Sequence, residues 1–371
     1  MKNRSAVCPR GITRVLVTSA VAVSSLAATV LPARATVLEQ KWVAGQKLAY
    51  DLKLTDATLT LQSDAAAPFF WAGVPWEVAL DGTGEVSLDT TAVDEAGAGT
   101  VAMRLPRLQM NGSAMGMFKA ALDVQNGLAK LSINGQPANG RGTVAKALVE
   151  PTTALQISRY GQVQRIVSLR TTPAATGDAT KAPKSTVPGV LAQEMSTLIP
   201  TALLQALPQL WPGRDIKVGE KWTVQPKLPV LGKAGAAKDT ADKDGKITPQ
   251  MISLGDVNMT LLQEETVDGL STQRVAIAGT LALDAAKSAA LMGNTAQKAG
   301  DRRLTSLKQT INGDIWFDDK AGQIVKMVVK LNTQSAGVGT AKAKDTTSKP
   351  RPWKSYQNFD GTLAMQLRKV S

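Results

Sequence analysis

The aromatic residues of this chain are concentrated in one short segment. The sequence PFFWAGVPWEV contains Phe69, Phe70, Trp71 and Trp76, whereas the whole chain has only seven Trp, five Phe and three Tyr. Clustered aromatic rings can stack on sugars or insert at a lipid interface. Alternatively, the four rings pack into the core at the edge of a sheet, although two prolines and a glycine disfavour a regular buried strand. The segment is therefore a candidate ligand-binding site.

A second segment, KDTADKDGKIT, resembles the start of a calcium-binding loop. With Gly245 at loop position 6, Asp242 and Asp244 take positions 3 and 5. Position 1 is then Thr240, and position 12 is Met251, where such a loop needs a bidentate Glu. We interpret the segment as a solvated Asp-Gly turn, and we predict no metal site and no cofactor.

Histidine is absent from the chain, and its single cysteine is Cys8. Without histidine, the chain cannot form a Ser-His-Asp triad, a Cys-His dyad or a His-based zinc or copper site. The motifs G-x-S-x-G, S-x-x-K and G-x-x-x-x-G-K-[ST] are also absent. We predict that the protein is not an enzyme. A carboxylate-dependent hydrolase is the third alternative, because paired carboxylates have no local sequence signature.

Residues 1–35 have the features of a secretory signal peptide. Four basic residues precede an uncharged, apolar run over 15–31, and Ala33 and Ala35 offer small residues for cleavage before Thr36. A membrane anchor is the alternative, but the run is short and rich in Ala and Ser. We therefore expect export to the periplasm or the extracellular space.

The charge of the mature chain is modest. Removal of residues 1–35, which hold five basic residues and no acidic ones, leaves 38 basic and 30 acidic residues, a net charge of +8. The basic residues are scattered, with no run longer than Arg302-Arg303. Nucleic-acid binding requires a clustered basic surface, so we predict no nucleic-acid partner. A weak attraction to anionic lipid or polymer is compatible with this charge.

Alternation of apolar and polar residues is the dominant pattern. Ten segments show it, including LAYDLKLTDATLTLQ, VNMTLLQEETV and GTLAMQLRKV. Such alternation is typical of antiparallel strands with one buried and one solvated face. We predict a mainly β fold of curved-sheet or barrel-like units. Gly127 and Gly322, each four residues after an Asp, are predicted to adopt positive φ in hairpin turns.

The region 187–213 departs from this pattern, because its apolar residues have helical spacing. We predict two short amphipathic helices, with Pro200 in the first turn of the second helix and Pro208 at its end. The helices form either a lid over an apolar cavity, with Leu198 and Leu203 facing the ligand, or a simple cover for the apolar face of the sheet.

Three stretches poor in large apolar residues are predicted to be loops, because they have little to bury. They are residues 171–186, 233–250 and 335–352. A fourth stretch, 285–303, is predicted to be a loop or a short helix.

Two parts of the chain match each other in their turns. Three pairs correspond in order along the chain: Gly45 with Gly219, Asp94 with Asp268, and Gly127 with Gly322. The pattern predicts two related β units, residues 36–170 and 214–371, joined by a linker over 171–213 that carries the helices. The alternative is that β proteins often reuse Gly-Asp turns.

The order of WVAGQKLAYDL, LWPGRDIKVGEKWTV and GDIWFDDKAGQIVKM resembles a group of exported bacterial proteins of unknown function. Their motifs GxxYxY, PxxxVxxGxxW and G…fD…G.i fall here on Gly45, Tyr50, Pro212, Val218, Gly219, Trp222, Gly313, Phe317, Asp318 and Gly322. The resemblance spans most of the mature chain, and it implies a β-rich fold and an exported location but no activity and no site residues. Many members look like lipoproteins, whereas here Cys8 precedes the apolar run instead of following it.

We therefore predict a non-catalytic exported protein that binds a hydrophobic or lipid-like ligand. Its layout of curved sheet and helices is similar, in architecture alone, to the half-barrels of envelope lipoprotein carriers. The alternative is a structural or interaction module of the cell envelope. The sequence leaves the ligand and the oligomeric state open.

Overall fold

The strands of this protein pair almost entirely into one antiparallel sheet. The computed structural model describes residues 35–65, 67, 72–116, 118–125, 128–137, 153–168, 209–230, 250–287, 303–341 and 351–368. These residues all belong to one compact unit, Ala35–Ser371. The prediction of a mainly β fold is confirmed.

Eighteen strands lie in the described ranges. They are β1 (Thr36–Val37), β2 (Lys47–Ser63), β3 (Trp76–Val93), β4 (Gly99–Ala114), β5 (Phe118–Gln125), β6 (Leu128–Ile133), β7 (Gln136–Pro137), β8 (Thr153–Ile157), β9 (Val163–Ser168), β10 (Asp215–Ile216), β11 (Lys221–Val224), β12 (Lys227–Val230), β13 (Gln250–Ser253), β14 (Val257–Val267), β15 (Leu270–Leu283), β16 (Arg303–Asp318), β17 (Gln323–Ala341) and β18 (Arg351–Leu367). A helical turn at 285–287 follows β15.

The main sheet has 14 strands, in the order β11-β14-β15-β16-β17-β18-β2-β3-β4-β5-β6-β7, with β8 added to β4 and β9 to β8. Two small sheets pair β1 with β10 and β12 with β13. Edge strand β11 and the turn between β8 and β9, which lie far apart in the strand order, line one groove, so the sheet curls back on itself. We call the face that carries the buried side chains the inner face.

The alternation of residue types decides which side chains lie on the inner face. Along β18, the odd-numbered residues from Trp353 to Met365 are buried, whereas the residues between them are exposed or half-buried. The same rule holds on the neighbouring strand, where Met327, Val329 and Leu331 are buried and Lys330 is exposed. A single apolar cluster contains buried residues from all the long strands. The hydrophobic core thus lies along the inner face.

The last strand of the chain pairs with the first long one. Strand β18 is antiparallel to β2, with Ser355 opposite Ser63 and Leu367 opposite Tyr50. Strands from the two proposed units therefore share one continuous sheet. The division of the chain at 171–213 stays a prediction, and the predicted helices lie outside the described residues.

The two glycine turns that suggested an internal repeat have the same hydrogen bonds. Gly45, with φ of 81°, donates its N–H to the Thr90 carbonyl at 2.8 Å, and Gly219, with φ of 84°, donates to the Leu261 carbonyl at 2.7 Å. In each turn, the residue after the glycine accepts a bond from the N–H of that same partner. A common geometry thus accompanies the matching sequences, and the duplication itself stays a prediction.

The tight turns follow the sequence signals where they are described. Gly322 has φ of 67°, as predicted for its hairpin, whereas Gly127 lies outside the described residues. Asp268 and Gly269 have φ of 51° and 79° between paired Val267 and Leu270. Two consecutive positive φ values are typical of a type I′ hairpin turn.

The predicted loop over 335–352 is wrong in part. Strand β17 continues to Ala341, and β18 begins at Arg351. The small residues of the segment pair along β18, with Gly339 opposite the buried Trp353. A glycine opposite a large ring lets the strands pair without a side-chain conflict. The segment therefore forms a strand although it contains few large apolar residues.

Candidate functional site

The inner face provides an apolar surface that crosses most of the sheet. Large side chains on neighbouring strands lie side by side there, because residues in register on the same face are close together. A row through the middle of the sheet shows this arrangement: Trp222, Met259, Ile277, Gly313, Val329 and Leu363 follow one another in register.

The opposite face of the sheet carries charged, solvent-exposed side chains. Arg368 pairs with Asp51 and with Glu85, the latter at 2.8 Å. The hydrogen bond from the guanidinium to Asp51 raises the pKa of Arg368 above its usual range. All three side chains are partly exposed, so these pairs contribute little to stability. The polarity difference between the faces restricts any apolar ligand to the inner face.

One titratable group lies on the inner face near the start of β2. Tyr50 is 2% exposed, and its burial raises the pKa of the phenol above its usual range. The group therefore stays neutral, as its apolar surroundings require.

A groove of about 820 Å³ opens where edge strand β11 lies near the β8–β9 branch of the sheet, and we call it the seam groove. One wall is edge strand β11 with the segment that follows it, and the other is the turn between β8 and β9. Residues 209–214 cross between the walls. The lining residues are Tyr160, Gly161, Gln162, Val163, Gln209, Trp211, Pro212, Arg214, Trp222, Thr223, Val224, Gln225, Lys227 and Met251.

Close packing holds the crossing segment against the β8–β9 turn. A Cβ added at Gly213, where φ is 68°, would lie 2.7 Å from Tyr160 Cγ. The tyrosine ring therefore packs directly on the glycine backbone. The side-chain amide of Gln209 also donates to the Lys227 carbonyl at 2.9 Å and accepts from the Lys227 N–H at 2.9 Å, as a neighbouring strand would. These contacts give the groove a fixed shape.

Two tryptophans connect the seam groove with the core on the inner face. Trp211 and Trp222 line the groove, and both belong to the main apolar cluster. The Trp211 ring lies 4.1 Å from the ring of Phe317, between centroids, at an interplanar angle of 40°. Trp222 Nε1 donates to the Leu210 carbonyl at 3.0 Å, whereas the buried Trp211 Nε1 has no hydrogen-bond partner among the described residues. The groove floor is therefore aromatic and continuous with the inner face.

The rim of the seam groove is polar and basic. Arg214 and Lys227 line it, and its lining residues include no Asp or Glu. Arg214 forms an ion pair with Glu220, which also accepts a bond from the Lys217 N–H at 3.1 Å. The hydrogen bond from Arg214, with the one from Lys217, holds the pKa of Glu220 below its usual range. The groove can thus accept an apolar group at its floor and polar groups at its rim, where the charge of Arg214 is already paired with that of Glu220.

Of the aromatic patch predicted from the sequence, only Trp76 lies in the described residues. It is half-buried at the first position of β3, in register with Leu61, and its ring meets that of Phe118 edge-on at 5.9 Å. It packs against the apolar cluster at the upper end of the sheet, the end at which β2 finishes. The other five predicted site residues, Phe69, Phe70, Trp71, Leu198 and Leu203, lie outside the described residues.

Sequence reasoning missed the seam groove. The available signal was LWPGRDIKVGEKW, in which two tryptophans flank a Pro-Gly turn. Trp222 belongs to a motif of the family that the chain resembles, but that motif implies no site, and Trp211 lies outside it. The β8–β9 wall had no signal at all, because its place beside these tryptophans depends on the curl of the whole sheet.

The described residues contain no group of three or more His, Cys, Asp or Glu side chains that could hold a metal ion. The calcium-like segment lies outside the described ranges, whereas Met251, at position 12 of the corresponding loop, lies in β13 and lines the groove. In the same ranges, no helix has the length and apolar character needed to cross a membrane.

Comparison with known proteins gave no relative: no protein-family profile matches the chain, and no curated protein matches it.

Proposed function

We propose that this chain is an exported, non-catalytic protein that binds an apolar or lipid-like ligand on the inner face of its sheet. The observation that carries the proposal is the continuity between the seam groove and the apolar core, since Trp211 and Trp222 belong to both. Ligand sites are typically concave and mostly apolar, with a few polar groups at their edges. The aromatic floor and polar rim of the groove fit this description.

The dimensions of the inner face suit a hydrocarbon chain. On β18, the buried positions from Phe359 to Met365 span six residue steps, roughly 20 Å. One leaflet of a bilayer core is about 15 Å thick, half of roughly 30 Å. An acyl chain can therefore lie along the strands without leaving the apolar surface.

The segment between the proposed units supplies a possible cover. The inner-face side chains are already buried in one apolar cluster, so a hydrocarbon chain that enters between them needs a further layer to separate it from water. We propose that the helices predicted within 187–208 lie over the inner face, and that the two related units form the two halves of the curl. Replacement of Leu198 and Leu203 by Ala would then alter ligand uptake.

The export proposal depends on residues 1–35 alone. Their charge pattern and the small residues before Thr36 are typical of a cleaved signal peptide. A periplasmic or extracellular location also suits a chain whose single cysteine is removed with that segment.

A structural or interaction module of the envelope is the second candidate. It is favoured by the four-residue edge strand β11, for which β14 is the only pairing partner among the described strands of the main sheet. An open edge can accept a strand from a partner. In this case, the inner face is a filled core, and no apolar ligand enters it.

Uptake of an apolar fluorescent naphthylamine probe distinguishes the two candidates. We expect probe fluorescence to rise on mixing with the delipidated protein. Gln162→Trp places a large ring in the groove from an exposed position and should slow this rise several-fold. The matched control is Gln62→Trp, at an exposed position on β2 outside the groove, which should leave the rate unchanged. Absence of any probe binding by the parent protein would exclude the carrier function.

A further inference from the structure

Six uncharged polar residues cross the inner face diagonally near its upper end, and we call this set the polar stripe. Its members lie on four adjacent strands: Gln309 on β16, Thr333 and Ser335 on β17, Gln357 and Ser355 on β18, and Ser63 on β2. The cross-strand register makes the stripe continuous, with Gln309 opposite Thr333, Ser335 opposite Gln357, and Ser355 opposite Ser63. Each member occupies a position of the buried face.

Hydrogen bonds between members of the stripe satisfy only some of its polar side-chain atoms. Gln309 Nε2 donates to Thr333 Oγ1 at 3.0 Å, and Ser335 Oγ donates to Gln357 Oε1 at 3.0 Å. Within the described part of the chain, Gln309 Oε1 and Ser63 Oγ have no hydrogen-bond partner, although both residues are only 6% exposed. Buried polar atoms are nearly always hydrogen-bonded, so an unpaired one needs an explanation. A ligand that reaches both atoms would satisfy them.

The two unpaired atoms determine the chemistry of a ligand that would satisfy them. Gln309 Oε1 only accepts, so its partner must present a hydroxyl or an amide N–H. Ser63 Oγ both donates and accepts, so a hydroxyl satisfies it equally well. The two atoms lie three strands apart, roughly 14 Å across the sheet. The partner is therefore a group with several polar atoms, or more than one molecule.

The surroundings of the stripe disfavour a charged partner. The inner-face positions from Trp353 to Met365 on β18 and from Met327 to Gly339 on β17 hold no Lys, Arg, Asp or Glu. A carboxylate or phosphate buried there would lose its hydration without gaining a counter-ion. The first charged inner-side position on β18 is Arg351, at the exposed upper end of the strand.

We propose that the polar stripe binds the uncharged, hydroxyl-bearing head group of an amphiphile, such as a glycerol or sugar head. Below the stripe, Phe359, Leu331 and Ile311 begin the apolar part of the same strands, where the hydrocarbon chain lies. Trp76 is in register with Leu61, which itself faces Gln357, so an aromatic ring borders the stripe on the side of β3. This assignment rests on the proposed carrier function and specifies its ligand class.

The test compares ligands that share a lauryl chain and differ in the head group. Displacement of the naphthylamine probe from the delipidated protein is measured with monolauroyl glycerol, dodecyl maltoside and laurate. We expect both uncharged ligands to compete at least about tenfold better than laurate, the equivalent of one to two hydrogen bonds. The better of the two identifies a glycerol or a sugar head. Stronger competition by laurate, abolished in Arg351→Gln, would assign the head-group site to the exposed arginine and overturn the proposal.

Variants of the stripe separate head-group binding from binding of the apolar chain. Gln309→Leu should lower the affinity for the better uncharged ligand several-fold and leave the affinity for the probe unchanged. Ser63→Ala, a smaller change of the side chain, should have the same two effects. The matched control is Gln334→Leu, at an exposed outer-face position of β17, which should change neither affinity. If the parent protein binds the probe but Gln309→Leu and Ser63→Ala bind the uncharged ligand as well as it does, the stripe proposal is wrong and the carrier function stands. If nothing binds, both fail.

Discussion

Gly322 provides a sharp test of how the chain closes the lower end of the sheet, the end at the β16–β17 turn. The residue has φ of 67°, and a Cβ added to it would lie 2.6 Å from Lys41 Cβ and would also meet the Lys41 backbone nitrogen. Lys41 is fixed to this turn, because its N–H donates to the Gly322 carbonyl at 3.2 Å and its Nζ donates to the Asp319 and Lys320 carbonyls. The segment before β2 therefore leaves no room for a side chain.

The size of the effect can be separated into two parts with a matched control. Gly97 has φ of 79°, and a Cβ added to it would meet nothing within 4 Å. Gly97→Ala should therefore lower the free energy of unfolding only by the cost of a left-handed backbone at alanine, about 1–2 kcal/mol. Gly322→Ala has the same cost and adds a steric conflict of about 1–3 kcal/mol, so it should lose about 2–5 kcal/mol.

Chemical denaturation of both variants, followed by tryptophan fluorescence, gives the free energy of unfolding and the m-value. We expect Gly322→Ala to be the less stable variant by about 1–3 kcal/mol, with the m-value unchanged. Equal losses in the two variants would refute the close packing of Lys41 against the turn.

Three further predictions follow from buried groups and from the N-terminus. Burial raises the pKa of the Tyr50 phenol. The contribution of this side chain to stability is therefore present below about pH 10, the pKa in the unfolded chain, and is lost as the pH rises above it. In denaturation experiments, Tyr50→Phe should lose less stability than the parent protein between about pH 8 and about pH 11. Trp222→Phe removes the donor to the buried Leu210 carbonyl and should lower the free energy of unfolding by about 1–3 kcal/mol, whereas Trp316→Phe on the outer face should lose less, because water can replace its bond to Glu265. N-terminal sequencing of the exported protein should find a mature end near Thr36, and recovery of intact residues 1–35 would contradict export with cleavage.

The strands of this protein were predictable, because burial of one face forces a period-two pattern into the sequence. The segment VNMTLLQEETV coincides with β14, and LAYDLKLTDATLTLQ lies within β2. The extension of β17 over 335–341 was missed, because glycine and alanine have weak strand propensity by themselves. The segment forms a strand because it pairs with β18 and because its small residues leave room for Trp353. Both causes depend on residues of another strand, so they are not visible in the segment itself.

The candidate sites were less predictable, because both depend on residues that are distant in the chain. The aromatic segment that ends at Trp76 is visible along the sequence, but of its four rings only Trp76 lies in the described residues, so its role as a site stays a prediction. The polar stripe has no linear signal, since Gln309 and Ser63 meet the other members only through the register of four strands. The seam groove needs the curl of the sheet to bring Tyr160 near Trp222.

Native mass spectrometry of the protein purified from its own envelope, with extraction and identification of any bound lipid, tests the central claim most directly. The proposed carrier function predicts a protein mass increased by a bound amphiphile that is released on extraction, and the polar stripe predicts that this amphiphile has an uncharged, hydroxyl-bearing head group. A protein that retains no lipid under these conditions, and whose delipidated form does not regain mass when incubated with extracted envelope lipids, would contradict it.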